Sequence, residues 1–167
     1  MDFNQIYQQH KKLVFNLALN YTNILEDAEE VTQDVFVKVH QNLNTFKNKA
    51  DIKTWLYRLT INQSLDFIKS KQRKKRSFLV NLFNVSQTEV YSECSNFNHP
   101  GIEMENKEAF KSLMNKIYQL PENQKSVIIL LKIEDLTQKQ VAEIMQISEG
   151  AVESLFQRAK SNLKKTL

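Results

Sequence analysis

The sequence predicts an all-α protein of two small helical domains, joined by a flexible linker, with a helix-turn-helix in the C-terminal domain. Three observations support this fold class. The 167 residues include only two glycines and two prolines, which tight hairpins and sheet corners use often. Apolar residues recur at the three-then-four spacing of a helix face. That spacing degrades between residues 77 and 105, where Asn, Ser and Gln are frequent and Pro100-Gly101 indicates a turn.

We therefore divide the chain into a domain of residues 1–76, a linker of residues 77–105 and a domain of residues 106–167. Cys94 is the only cysteine, which excludes an internal disulfide and a thiolate metal site and fits a reducing compartment. No signal-peptide pattern begins the chain, and the longest apolar run, Val127–Leu131, is too short to span a bilayer. We expect a cytoplasmic protein with no metal and no cofactor.

The first two predicted helices cover residues 3–21 and 26–44. In the second, valines and a leucine every four residues form an apolar stripe: Val31, Val35, Val39 and Leu43. Its opposite face begins acidic, with Glu26, Asp27, Glu29, Glu30 and Asp34 against Lys38 alone. The acidic face has two interpretations: a solvated helix start, or a docking face for a basic partner, since like charges would repel DNA.

The third predicted helix, residues 52–71, lies within the most basic part of the chain. Phe46–Arg76 contains ten basic and two acidic residues, a net charge of +8, whereas the whole chain has +4. Aromatic residues, among them the only tryptophan, Trp55, lie inside it. Basic charge with interleaved aromatics suits a phosphate backbone and unpaired bases. The alternative is a solvated basic helix, whose C-terminal cations the helix dipole favours.

The C-terminal domain begins with a helix whose predicted apolar face comprises Phe110, Leu113, Met114 and Ile117. Leu120-Pro121-Glu122 ends it and starts a buried helix. Thr137 with Gln140 three residues later predicts a capping box at the next helix start. A turn around Ser148 precedes a final helix. The last two helices have the layout of a helix-turn-helix, in which small Ala142 permits close crossing and the second helix reads a major groove.

Several separate segments together resemble the extracytoplasmic-function (ECF) sigma factors of bacterial RNA polymerase. Asp27–Phe36 (DAEEVTQDVF) is similar to their region 2.2 helix, and Phe46–Asn62, with TWLYR at its centre, to their promoter-opening helix. Leu120-Pro121-Glu122, Val141–Ile144 and Arg158-Ala159-Lys160 resemble region 4. The resemblance covers nearly the whole chain except the linker.

The resemblance implies a protein that directs core polymerase to promoters and helps melt the −10 element. Its partners would be core polymerase, promoter DNA and an anti-sigma factor, with no small-molecule substrate. Polymerase binding is expected at Asp27, Glu30, Gln33, Asp34 and Val37. Unpaired −10 bases are expected at Lys47, Asn48, Lys49, Lys53, Arg58 and Asn62, with Trp55 in the core beneath them. The −35 duplex is expected at Ser148, Ala151, Glu153, Ser154, Gln157, Arg158 and Lys160.

The recognition helix departs from the family's usual Thr-Val-Lys-Ser-Arg pattern, because this chain has Ala151-Val152-Glu153-Ser154-Leu155. Glu153 would repel a phosphate but can accept a hydrogen bond from cytosine N4. Leu155 is compatible with a core position. The sequence therefore leaves open which −35 sequence this helix reads.

Two other classes of function compete with a sigma factor. A stand-alone helix-turn-helix regulator would bind duplex DNA by itself, but it needs neither the acidic helix face nor the basic stretch. An enzyme is disfavoured because the chain has no glycine-rich phosphate loop, metal-ligand spacing or nucleophile–base signature.

Overall fold

The computed structural model describes residues 2–43, 51–83 and 107–165, and all regular secondary structure in these ranges is helical. The helices are α1 (Phe3–Thr22), α2 (Leu25–Asn42), α3 (Ile52–Phe83), α4 (Lys107–Tyr118), α5 (Glu122–Ile128), a π-helical segment (Ile129–Ile133), α6 (Gln138–Met145) and α7 (Glu149–Lys165). The predicted all-α fold is confirmed for these ranges.

The chain forms two compact units. Residues 2–43 and 59–83 belong to the first unit, and residues 51–58 and 107–165 to the second. The first turns of α3 are thus counted with the C-terminal helices. The predicted domain boundaries, at residues 76 and 106, stay a prediction.

In the first unit, α1 and α2 are joined by a two-residue connection. Asn23 adopts the left-handed conformation (φ 58°) and its N–H donates to the Leu19 carbonyl at 2.9 Å, which ends α1. The predicted valine stripe of α2 is confirmed, since Val31, Val35 and Val39 are fully buried. They pack with the buried face of α1, which comprises Ile6, His10, Val14, Leu17, Ala18, Leu19, Asn20 and Tyr21.

Helix α3 extends twelve residues beyond its predicted end at residue 71. Residues 72–83 contain neither glycine nor proline, and their arginines, lysines and leucines favour a helix. Ser77–Phe83 is therefore helical, although its composition suggested linker. The remainder of the predicted linker, including Cys94, lies outside the described residues.

The second unit contains a π-helical segment that the sequence did not predict. After α5 the helix continues as a π segment, in which the Glu134 N–H donates to the Ile129 carbonyl at 3.0 Å. Asp135 then adopts φ 51°, and the Leu136 N–H donates to the Leu130 carbonyl at 3.0 Å. This end turns the chain toward α6. The predicted apolar face of α4 is wrong at Leu113, which is 47% exposed, while Met114 and Ile117 are buried.

The predicted capping box at the start of α6 is confirmed. The Thr137 side chain accepts from the Gln140 N–H at 3.3 Å, and the Gln140 Oε1 accepts from the Thr137 N–H at 2.9 Å. Two N–H groups that would otherwise lack a helical partner are thereby satisfied.

We expect Thr137→Ala to destabilise the second unit by about 1 kcal/mol, because the substitution removes the capping hydroxyl. Thermal unfolding of the full chain, followed by circular dichroism, measures this. Thr137→Ser keeps the hydroxyl and should remain close to wild type. Equal unfolding temperatures for wild type and the alanine variant would contradict the role of the cap.

Candidate functional site

The residues expected to bind polymerase divide into two sets on α2. Glu30, Gln33 and Val37 are exposed, and Val37 keeps 54% of its surface accessible. Asp27 and Asp34 are half-buried. Residues seven apart on a helix point in nearly the same direction, so Asp27 lies in line with Asp34 and Glu30 with Val37. The two sets lie side by side because Glu30 follows Asp27 by three residues.

Asp27 and Asp34 are held by side chains of α3. The Lys71 ammonium donates to both oxygens of Asp27, at 2.8 and 2.6 Å. The Gln63 amide nitrogen donates to Asp34 at 2.7 Å, while Lys38 donates to the Gln63 amide oxygen. Sequence reasoning missed Gln63 and Lys71, because a pairing between α2 and α3 depends on how the two helices pack.

An open groove of about 1020 Å³ separates α2 from the second half of α3. Its α2 side is acidic and its α3 side mainly basic. The lining residues are Asp27, Glu30, Asp34, Gln63, Asp66, Phe67, Lys69, Ser70, Lys71, Gln72, Arg73, Lys74 and Arg76.

Of the six residues expected to hold the −10 element, the structure places two, Arg58 and Asn62, on one face of a helix. Lys47, Asn48 and Lys49 lie outside the described residues. Arg58 and Asn62 are one turn apart and share a face of α3. Lys53 is exposed, but nine helical residues place it about 180° around the axis from Asn62. Trp55 is half-buried, so its predicted core role stays a prediction.

The face of Arg58 and Asn62 continues along α3 as a basic stripe of Lys69, Arg73 and Arg76. These residues follow Arg58 at intervals of eleven, fifteen and eighteen, which keeps all of them within about 60° of its direction. All three are exposed. Part of the basic stretch, the stripe of Lys69, Arg73 and Arg76, therefore lies on the same side of α3 as Asn62.

Within the second unit, Tyr57 and Arg58 contact the C-terminal helices. The Tyr57 hydroxyl donates to the Glu134 carboxylate at 3.0 Å. Burial, together with the Glu134 charge and this hydrogen bond, raises the pKa of Tyr57. The Arg58 guanidinium donates to the carbonyls of Glu143, at 2.5 Å, and Ile144, at 3.2 Å. These carbonyls lie in the last turn of α6, where a cation is favoured.

The helix-turn-helix has the predicted layout. Gln146 adopts φ 57° and ends α6, and the Ser148 hydroxyl accepts from the Ala151 N–H at 3.2 Å at the start of α7. Ala142 and Val152 are buried between the helices, whereas Leu155 is half-buried. Five of the seven residues expected to bind the −35 duplex are exposed, namely Ser148, Ser154, Gln157, Arg158 and Lys160.

The other two, Ala151 and Glu153, are half-buried. The Glu153 carboxylate accepts from the Gln138 amide nitrogen at 2.5 Å and from the Gln157 amide nitrogen at 2.6 Å. Lys160 lies 5.4 Å from the Phe156 ring centre, a cation–π contact on the neighbouring side of α7. Sequence reasoning did not identify Glu153 as a link between α6 and α7.

Within the described ranges, no three or more His, Cys, Asp or Glu side chains are arranged to hold a metal ion. No helix in the same ranges has the length and apolar character needed to cross a membrane.

Comparison with known proteins gives two family matches. The profile of sigma-70 region 2 matches residues 6–74, and that of sigma-70 region 4 matches residues 110–163. The chain is 25% identical over 162 residues to the ECF RNA polymerase sigma-E factor of Haemophilus influenzae, covering 97% of this chain and 85% of that protein. It is 27% identical over 169 residues to the ECF sigma factor SigW of Bacillus subtilis, covering 99% and 88%.

Two solved structures share the fold. CnrH, in complex with the cytosolic domain of CnrY, has a TM-score of 0.67 at 19% identity and covers 98% of this chain and 86% of its own. The sigma factor RpoE of Bartonella quintana, in complex with the anti-sigma factor NepR, has a TM-score of 0.65 at 19% identity, covering 98% and 95%.

Proposed function

The chain belongs to the sigma-70 family, in its ECF group, and we propose that it brings core RNA polymerase to specific promoters and helps to open their −10 element. The observation that carries this proposal is the structure of the first unit. An acidic face on α2 and a basic stripe on α3 lie beside one groove. A protein that only reads duplex DNA needs the basic surface but not the acidic one.

In this proposal the α2 face binds a basic surface of polymerase core. Glu30, Gln33 and Val37 are accessible for that contact, and the apolar Val37 would form its dry centre. Asp27 and Asp34 contribute once the bonds from Lys71 and Gln63 have been exchanged for bonds to the polymerase.

We expect Lys71→Ala to tighten binding to core about two- to fivefold, because it removes the cation that competes for Asp27. The effect is small since Lys71 is 52% exposed and surface pairs are weak. Titration of the labelled chain with core polymerase measures it. Lys75→Ala removes an equal charge from the same exposed run and serves as control. Identical affinities for the two variants would contradict the competition.

The α3 face would hold the unpaired −10 strand. Melting costs stacking energy, a few kcal/mol per displaced base, which base contacts and phosphate pairing offset. Asn62 supplies an exposed amide, and the stripe of Lys69, Arg73 and Arg76 supplies phosphate contacts. Arg58 would first have to exchange its bonds to the Glu143 and Ile144 carbonyls for bonds to DNA.

The helix-turn-helix would read the −35 duplex through α7. This assigns core and −10 binding to residues 1–76, a linker to residues 77–105 and −35 binding to residues 106–167. The solved relatives CnrH and RpoE are bound to the cytosolic domain of CnrY and to an anti-sigma factor, so we include an anti-sigma factor among the proposed partners. The protein would act in the cytoplasm, as an initiation factor rather than an enzyme.

Run-off transcription with purified core polymerase tests the proposal. We expect promoter-dependent transcripts only when core and this chain are both present. Absence of such transcripts, together with tight duplex binding by the chain alone, would instead support a stand-alone helix-turn-helix regulator.

A further inference from the structure

Three side chains form a hydrogen-bonded cluster on the outer surface of the helix-turn-helix. Gln138 lies at the start of α6, and Glu153 and Gln157 lie one turn apart on α7. Each Glu153 oxygen accepts from one glutamine amide nitrogen, at 2.5 Å from Gln138 and 2.6 Å from Gln157. Both glutamines are exposed, while Glu153 is half-buried between them.

A carboxylate fixes how these amides are oriented. An ionised carboxylate only accepts hydrogen bonds, so each glutamine must turn its nitrogen toward Glu153. A glutamine without such a partner can rotate its amide by half a turn and present either its oxygen or its nitrogen to a ligand. Glu153 removes that freedom, and the amide oxygen of Gln157 is left available beside its second amide hydrogen.

An oxygen acceptor beside an N–H donor is complementary to one base edge in the major groove. Adenine presents an N6 donor next to an N7 acceptor, and glutamine binds this pair in a bidentate manner. Guanine presents two acceptors, N7 and O6, so the amide oxygen of an oriented glutamine would face O6 unfavourably. Gln157 is exposed at the middle of α7, one turn after Glu153, on the helix that a helix-turn-helix places in the major groove.

We propose that Glu153 is a positioning residue, which orients Gln157 so that this residue selects adenine at one position of the −35 duplex. The proposal rests on the function given above. It reassigns Glu153, whose two oxygens already accept from glutamines, from direct contact with cytosine to support of a neighbouring residue. It also gives a reason for an acidic residue on a surface that approaches phosphates.

The test is run-off transcription by core polymerase and the full chain on promoters with a randomised −35 segment. With wild type we expect one position to prefer adenine over guanine by about tenfold, the discrimination of a good bidentate contact. Glu153→Ala should reduce that preference to about twofold, because the amide rotates freely. Gln157→Ala should abolish it at the same position.

Control variants distinguish the orientation of Gln157 by Glu153 from a general effect of charge and from a loss of folding. Glu149→Ala removes the same charge one turn earlier on α7 and should keep the adenine preference. Glu153→Gln keeps the size of the side chain but replaces one acceptor by a donor, so it should relax the preference as the alanine variant does. Each variant should retain the helical circular dichroism and the −10 preference of wild type.

Two results would overturn the inference while leaving the proposed function intact. One is an unchanged adenine preference in both Glu153 variants. The other is a cytosine preference in wild type that these variants lose, which would mean that Glu153 reads the base directly. Absence of any promoter-dependent transcript with wild type would overturn both the inference and the proposed function.

Discussion

Replacing Asp34 by lysine is expected to weaken binding to polymerase core by about 100-fold, because like charges across an interface cost several kcal/mol. Asp34 lies beside the exposed Glu30 and Val37, and its carboxylate is held in place by Gln63 at 2.7 Å. A lysine there would also repel Lys38, which donates to Gln63. Fluorescence titration of the labelled chain with core measures the change.

Asp66→Lys is the matched control for this prediction. It makes the same change of charge on the α3 side of the groove and should leave core affinity within about threefold of wild type. Circular dichroism should show both variants folded. Core affinity equal to wild type in the Asp34 variant would remove α2 from the polymerase interface.

Asn62→Ala is expected to slow formation of the open promoter complex about tenfold, while core binding stays unchanged. Asn62 is exposed on the same face of α3 as Arg58, and the loss of one hydrogen bond to a strongly polar partner accounts for an effect of this size. Stopped-flow fluorescence on a promoter labelled in the −10 element gives the rate. Lys49→Ala should behave in the same way.

A second amide on α3 provides the control. Gln72 is exposed ten residues later, about 15 Å further along the helix axis and about 80° around it from Asn62. Gln72→Ala should open the promoter at the wild-type rate. If Asn62→Ala lost core binding and promoter opening to equal degrees, the assignment of this face to DNA would be contradicted.

Features set by short-range pattern were predictable from the sequence. The valine stripe of α2 follows from helical spacing, and the capping box depends on Thr137 and Gln140 alone. The predicted end of α3, at residue 71, was wrong because the composition of the residues that follow was taken as evidence of a linker. A run of residues without glycine or proline can continue a helix whatever its polarity.

Contacts between helices were not predictable from one sequence. Lys71 bonds with Asp27, 44 positions earlier, and Tyr57 with Glu134, 77 positions later. Neither pair has a local signature, because each depends on how helices pack. The hydrogen bond between Gln138 and Glu153 was not predicted for the same reason, since Gln138 lies on another helix. The sequence suggests individual charged residues as candidates, while their hydrogen-bond partners required the structure.

The central claim is that this chain opens promoter DNA only as a subunit of polymerase. A fluorescent base analogue in the non-template strand of the −10 element reports base unpairing directly. We predict a fluorescence increase with core and chain together, and none with either alone. Tight binding of the duplex by the chain alone, with no increase when core is added, would contradict the account.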